Sequence, residues 1–281
     1  MKAMYEMTGI SRQALHQYNH WHGKRLAEEE LLILLACAIR VDHPSMGCRS
    51  MHDRLVGIDI GRDRCEQILL GNGFAVRRTV NYLKTTVPQR IYLFPNLIKG
   101  LKVRAINELW QTDITYFITA YGKVFYIVFI IDVYSRRIVG HCAHDHMRAE
   151  ANLLCLQRAL ALRKGCDLGK LIHHSDRGGQ FVDKKYRDLL AQNGIRMSMC
   201  ERAQENAYTE RVNGTIKNGY LKWRDIETLG QLNNQLNKAV RAYNEEKPHR
   251  NLPHRMSPIN FENYLKATHV SEHPTETIYA D

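Results

Sequence analysis

Three carboxylates stand where the surrounding residues give them little ordinary reason to be. Asp113 interrupts the apolar and β-branched run Leu109-Trp110-Gln111-Thr112-Asp113-Ile114-Thr115-Tyr116. A carboxylate inside such a strand costs desolvation unless it is paired or holds a cation. Asp176 follows Leu171-Ile172-His173-His174, at the carboxyl end of a short strand, where α/β folds gather their chemistry. Glu210 lies in a helical stretch after the next strand. Two strand-borne aspartates and one helix-borne glutamate can converge on a pair of Mg²⁺ ions, which take carboxylate oxygens and fill their remaining positions with water and substrate phosphate. Two such ions roughly 3.5–4 Å apart stabilise the attacking and leaving oxygens of an in-line displacement at phosphorus. Taken singly, Asp113 reads as a strand cap or salt-bridge partner, Asp176 as the cap of the Gly178-Gly179 turn, and Glu210 as a solvated helix acid. Asp132, at the end of a second apolar run, is a rival strand-end carboxylate.

Positioning these side chains requires a sheet and a helix, and the periodicity supplies both. Residues 108–119, 123–133 and 137–143 read as three strands joined by short turns, an antiparallel meander. Helical spacing follows over 149–163, a strand over 170–174, a helix over 184–192, a strand over 195–199, and helices over 207–221 and 229–242. That order predicts a ribonuclease-H-like α/β core with a mixed five-stranded sheet and flanking helices. Upstream the pattern is helical and short. Glu28-Glu29-Glu30 suggests a helix N-terminus before residues 31–39, and two helices over 49–55 and 62–70 flank the turn Gly57-Ile58-Asp59-Ile60-Gly61. Two short helices about a Gly-bearing turn match a helix-turn-helix as well as a plain small bundle.

The chain has 281 residues, 40 Lys plus Arg against 29 Asp plus Glu, and a formal charge of +11. Residues 1–105 carry 16 of those bases and 9 of the acids. Such an excess favours a polyanion. The apolar runs over 31–39 and 124–131 fall well short of the roughly 20 residues that span a bilayer, and no signal peptide is evident, so a cytoplasmic protein with no membrane partner is expected. The seven cysteines are scattered and never spaced C-x-x-C, which reads as reduced thiols. His141, Cys142, His144 and His146 carry metal-capable atoms without a second ligand pair, and no P-loop, dinucleotide or nucleophile-elbow motif is present.

Three blocks together are distinctive: Trp110-x-Thr112-Asp113-Ile114-Thr115-Tyr116, His174-Ser175-Asp176-Arg177-Gly178, and Glu205-Asn206-Ala207-x-x-Glu210-Arg211-x-Asn213-Gly214-x-x-Lys217. They resemble the signature of the DDE transposase and retroviral integrase superfamily, and most of all the OrfB-type transposases of the insertion-sequence-three family. The tail Tyr243-Asn244-x-x-Lys247-Pro248-His249-x-x-Leu252, then Pro258 and Phe261, is similar to that family's closing signature, and His43-Pro44-x-x-Gly47-Cys48-Arg49 to its helix-turn-helix segment. Between Asp176 and Glu210 lie 33 residues, two fewer than the family's usual 35, the difference falling in the loop 200–205. Glu201 and Glu205 are the neighbours that a shifted register would bring in.

The resemblance implies a transposase that binds terminal inverted repeats, cleaves to free 3′-hydroxyls and joins them to target DNA. It implies Asp113, Asp176 and Glu210 as catalytic residues and metal ligands, with two Mg²⁺ ions (Mn²⁺ able to substitute). Lys217, Arg211, Asn213, Arg177 and His174 are the implied DNA contacts, and Asp132 is left structural. Partners would be end and target DNA, further copies of the chain when two ends are synapsed, and an OrfA-type protein. A repressor without catalysis and a nuclease without strand joining remain alternatives. The expected layout is a helix-turn-helix region over 1–86, a basic linker over 87–104, a catalytic core over 105–226 and a helical tail over 227–281 packed on the core.

Overall fold

The computed structural model describes residues 9–55, 57–76 and 94–279. The chain divides into two units, Met1–Arg78 and Thr79–Asp281.

In the first unit, α1 (Arg12–Asp42) is capped by Ser11, whose hydroxyl accepts from the Ala14 amide at 3.1 Å. The helix runs 31 residues, so the Glu28-Glu29-Glu30 run expected at a helix start lies in its middle. Ion pairs explain its place there: Glu29 meets Arg25 on its own helix and Arg64 on α3. α2 (Cys48–His52) and α3 (Arg62–Gly71) flank the expected turn, with Gly57 in the left-handed region at φ 87°. Leu32, Ala36, Met51, Cys65 and Leu69 form the buried centre that locks the three helices together.

The second unit is built on a five-stranded sheet of β2 (Leu109–Ile118), β3 (Val124–Asp132), β4 (Ile138–His144), β5 (Ile172–Ser175) and β6 (Arg196–Met199). β1 (Lys102–Val103) and β7 (Glu276–Thr277) pair separately. The order is β4-β3-β2-β5-β6, antiparallel across the first three and parallel from β2 to β5 to β6. This is the ribonuclease-H-like arrangement expected from the order of elements. α4 (Ala149–Leu162) and α5 (Lys184–Gln192) cover one face through Cys155, Leu156, Tyr186 and Leu190. α6 (Ala207–Gly219) and α7 (Leu229–Glu245) cover the other through Val212, Ile216, Leu232, Leu236 and Val240. α8 (Pro258–Ala267) closes a third cluster with Leu109 and Ile172.

The outer strand β4 is shielded by a row of asparagines on α7. Asn244 both accepts from the Ile138 amide and donates to its carbonyl, at 3.0 and 2.9 Å, Asn233 accepts from the Ala143 amide, and Asn237 meets His141 at 2.8 Å. An uncovered edge is a template for unwanted strand pairing, and these amides occupy it. The expected linker over 87–104 is only partly described. From Phe94 its residues pack into the second unit, with Ile98 and Val103 fully buried and β1 paired to β7. Among the described residues no helix is long and apolar enough to cross a membrane, and the seven cysteines are free thiols, with Cys37 and Cys166 exposed.

Candidate active site

β2 and β5 run parallel with Thr112 paired to Ser175, so the next residues on the two chains are Asp113 and Asp176. Sheet register therefore sets the two aspartates side by side. Asp176 is fixed by the Gly178 amide, which donates to its Oδ1 at 2.9 Å. A Cβ at residue 178 would lie 2.9 Å from Gln180 Oε1 and 3.0 Å from Asp176 Oδ1, so a larger residue there would push the Gln180 side chain aside and crowd the carboxylate.

The third carboxylate comes from α6. Val212 and Ile216 bury one face of this helix in the core, which turns Glu210, Asn213 and Lys217 the other way, at the i, i+3 and i+7 spacing of one helical face. The 3-10 turn that leads into α6 is sewn to β2: Gln111 donates to the Glu205 carbonyl at 3.0 Å, and Asn206 donates to the Thr112 carbonyl at 3.0 Å. Glu205 accepts from the amides of Glu201 and Arg202 at 2.6 and 3.1 Å, and Glu201 pairs with Lys99. Both rival acids are thus engaged in holding the shortened loop, while Glu210 is exposed in the cleft.

The cleft encloses about 1040 Å³ and is lined by Asp113, Asp176, Glu210, Asn213 and Lys217 together with Tyr116 and Arg177. Burial raises the Asp113 pKa to about 8, with the charges of Asp176 and Glu210 adding to it against hydrogen bonds from the Ile114 amide and Asn213. Burial likewise raises Asp176, against the Gly178 amide. The Lys217 ammonium lies 4.9 Å over the Tyr116 ring, its pKa lowered by burial and partly restored by Asp113. The described residues contain no set of three His, Cys, Asp or Glu side chains already closed around one metal position.

Of the other expected DNA contacts, Asn213 and Arg177 line the cleft, and His174 and Arg211 do not. His174 is fully buried and bonded to Ser198 at 2.9 Å, joining β5 to β6. Burial drives its pKa to about 4, so it is a neutral strut with no surface to offer a phosphate. Asn213 is 5% exposed and spends its amide on Asp113. Arg177 lines the cleft but donates to the carbonyls of Cys200 and Glu201. Arg211 is exposed and outside the cleft lining. Asp132 is wholly buried, accepting from the amides of Asn107 and Ser135 at 2.7 and 2.9 Å, which is a structural use. Tyr116 beneath Lys217 went unnoticed in the sequence, since nothing local links a strand aromatic to a lysine a hundred residues on.

The family described as Integrase core domain matches residues 104–204, and a second profile of the same description matches residues 193–258. The transposase for insertion sequence element IS904 of Lactococcus lactis subsp. lactis is 32% identical over 60% of this chain and 67% of that protein. An uncharacterized transposase-like protein of Haemophilus influenzae is 31% identical over 55% and 70%. The chain belongs to the DDE transposases of insertion sequences. A relative matched over nearly its whole length is the uncharacterized 31 kDa protein of insertion element IS600 from Shigella sonnei, 28% identical over 92% of this chain and 97% of that one. Within this family the cleft described above falls inside the matched core, as do all three carboxylates.

Proposed function

We propose that this transposase binds the terminal inverted repeats of its element, cleaves their ends and joins the 3′-hydroxyls to target DNA at the Asp113–Asp176–Glu210 cleft. One observation carries the reading: the sheet and α6 bring three acids from distant parts of the chain into one cleft, where the charges of Asp176 and Glu210 add to burial in raising the pKa of Asp113. The donor set is all carboxylate oxygen, which suits Mg²⁺ or Mn²⁺ and leaves positions for DNA phosphates to complete. When bound, a pair of such ions activates the attacking oxygen and stabilises the leaving one. Asn213 orients Asp113, the Gly178 amide orients Asp176, and Lys217 draws the terminal phosphate into the cleft by charge. The first unit, where two short helices flank a Gly-bearing turn, is the proposed reader of end sequence, and synapsis of two ends calls for more than one copy.

A cleavage assay on uncut end DNA and a strand-transfer assay on pre-cut end DNA, both with Mg²⁺, test this. Joined product that disappears with chelator and with Glu210→Gln supports the reading. End binding without cleavage would indicate a repressor, and cleavage without joining a nuclease; either result overturns it.

A further inference from the structure

The start of α6 is capped from outside the helix. Asn206 stands at the N-cap position but its side chain makes no capping bond. Its amide donates to the Thr112 carbonyl, and its Oδ1 accepts from the Thr209 hydroxyl at 2.7 Å. The first amides of a helix have no partner within it. Here the first turn also carries Glu210, so a frayed start would loosen the third acid. The Ala207 amide instead donates to the hydroxyl of Tyr279 at 3.3 Å, across 72 residues of sequence.

Tyr279 is itself held in place. Its neighbour Ile278 is fully buried; the Ile278 amide donates to the Leu101 carbonyl at 2.8 Å, and the Ile278 carbonyl accepts from the Gly100 amide at 3.0 Å. The Glu276 carboxylate pairs with Arg136 and accepts from the Tyr208 hydroxyl at 2.8 Å. The Arg136 guanidinium lies 4.4 Å over the Tyr208 ring, and that ring meets Tyr279 edge-on at 6.4 Å. The segment thus grips α6 at both of its first two residues, Ala207 and Tyr208. Arg136 and Tyr279 sit in the left-handed region at φ 64° and 46°. That is a costly place for a large side chain, and it persists where surrounding contacts fix it. Gln111 and Asn206 fasten the turn before α6 to β2. Asp113 lies two residues beyond Gln111, and Glu210 three beyond Ala207, so both fastenings stand close to the acids.

We propose that residues 276–279 form a strap that fixes the first turn of α6, and with it Glu210, relative to Asp113, and that Tyr279 is its positioning residue. None of the four lines the cleft, so the strap acts through the helix rather than on DNA. It rests on the metal-dependent joining proposed above. A glutamate that shares cations with two strand aspartates binds them less well when its own helix turn is loose, and groups that orient metal ligands govern roughly 10–100-fold in affinity or activity.

The test compares the full wild-type chain with Tyr279→Phe, which deletes the hydroxyl and keeps the ring against Tyr208. Two quantities are read: amide hydrogen exchange over residues 207–210 in the metal-free protein, and the Mg²⁺ concentration that gives half-maximal strand transfer. Expected are exchange about fivefold faster, the size of a lost helix cap, and a Mg²⁺ midpoint raised roughly tenfold. End-DNA affinity should be unchanged, and saturating Mg²⁺ should restore most of the joining. Glu276→Ala, which releases the strap from Arg136 and Tyr208, should give the same pair of changes. Unaltered exchange and midpoint in both variants, or a lower melting temperature with the midpoint unmoved, would make the segment ordinary packing; either overturns the strap and leaves the cleft reading standing. A wild type that joins nothing at any Mg²⁺ concentration sinks both.

Discussion

The side-chain amide of Asn213 donates to Asp113 Oδ2 at 2.7 Å, tying α6 to β2 across 100 residues of sequence. Asn213 is a neutral donor 5% exposed, so it orients the carboxylate without cancelling its charge. Groups that orient metal ligands typically govern 10–100-fold in affinity or activity. Asn213→Ala is therefore expected to lower strand transfer by roughly that factor while end-DNA affinity stays as in the wild type. Unchanged transfer rates would show that Asp113 needs no such partner.

Glu210→Gln and Glu205→Gln should fail in different ways. Removing one electrostatic group from an active site costs roughly 10²–10³-fold, so Glu210→Gln should depress cleavage and joining together with folding intact. Glu205 caps the amides of Glu201 and Arg202, so Glu205→Gln should chiefly lower thermal stability. A dead Glu205→Gln beside an active Glu210→Gln would reverse the assignment of the third acid.

The metal-free protein should carry a pH signature of Asp113. Its folded pKa is raised to about 8 by burial, then by Asp176 and Glu210. The stability this group contributes is fully present below its unfolded value near 4 and is lost as pH rises through about 8. Asp113→Asn removes that loss. In chelator at pH 9 its melting temperature should exceed the wild type's by at least about 3 °C, the size of a 1 kcal/mol gain in a domain of this length, and the difference should shrink toward pH 4. A variant no more stable than the wild type at pH 9 would contradict this cost of ionising Asp113.

Lys217 rests on Tyr116, and its charge faces the cleft. Lys217→Ala should flatten the salt dependence of end binding by about one and reduce joining, with melting temperature little changed. Tyr116→Leu, which removes the ring but keeps the lysine, should reduce joining with a smaller change in slope. Wild-type joining by Lys217→Ala at limiting enzyme would make Lys217 an ordinary surface residue.

Glu262 holds the tail of the second unit to its sheet. Its carboxylate accepts from Ser135, Arg137 and Arg163, the last through both terminal nitrogens. Burial alone would raise its pKa, but the bonds and charges of the two arginines outweigh this and leave it lowered. Its contribution is therefore complete above the unfolded carboxylate value and lost as pH falls through the folded one. Glu262→Gln leaves the buried Arg163 guanidinium facing the more distant Asp132 at 4.0 Å as its counter-charge and should cost about 3 kcal/mol, read by denaturant unfolding at pH 7. The deficit should narrow below pH 4, and a constant deficit across pH would exclude the ion cluster as its source.

Element order, the three acids and the basic excess were legible in the residues themselves. Alternation over 108–119, a carboxylate breaking it at Asp113 and helical spacing through Glu210 and Lys217 are local patterns, and secondary structure follows local patterns closely. The length of α1 was not legible, because Glu29, paired with Arg25 and Arg64, and Glu28, paired with Lys24, sit in the middle of a helix that charge placement alone would start there. Nor were the roles of the residues around the acids. His174 and Asn213 lie in motifs that suggest contact with a ligand, yet one is enclosed between strands and the other is turned onto Asp113. Only the parallel pairing of β2 with β5 sets Asp113 beside Asp176, and only the burial of Val212 and Ile216 turns Glu210 and Lys217 to the cleft. These relations join residues tens to a hundred positions apart. They are decided by strand register and by which helix face the core takes, and neither is written in the spacing of neighbours along the chain.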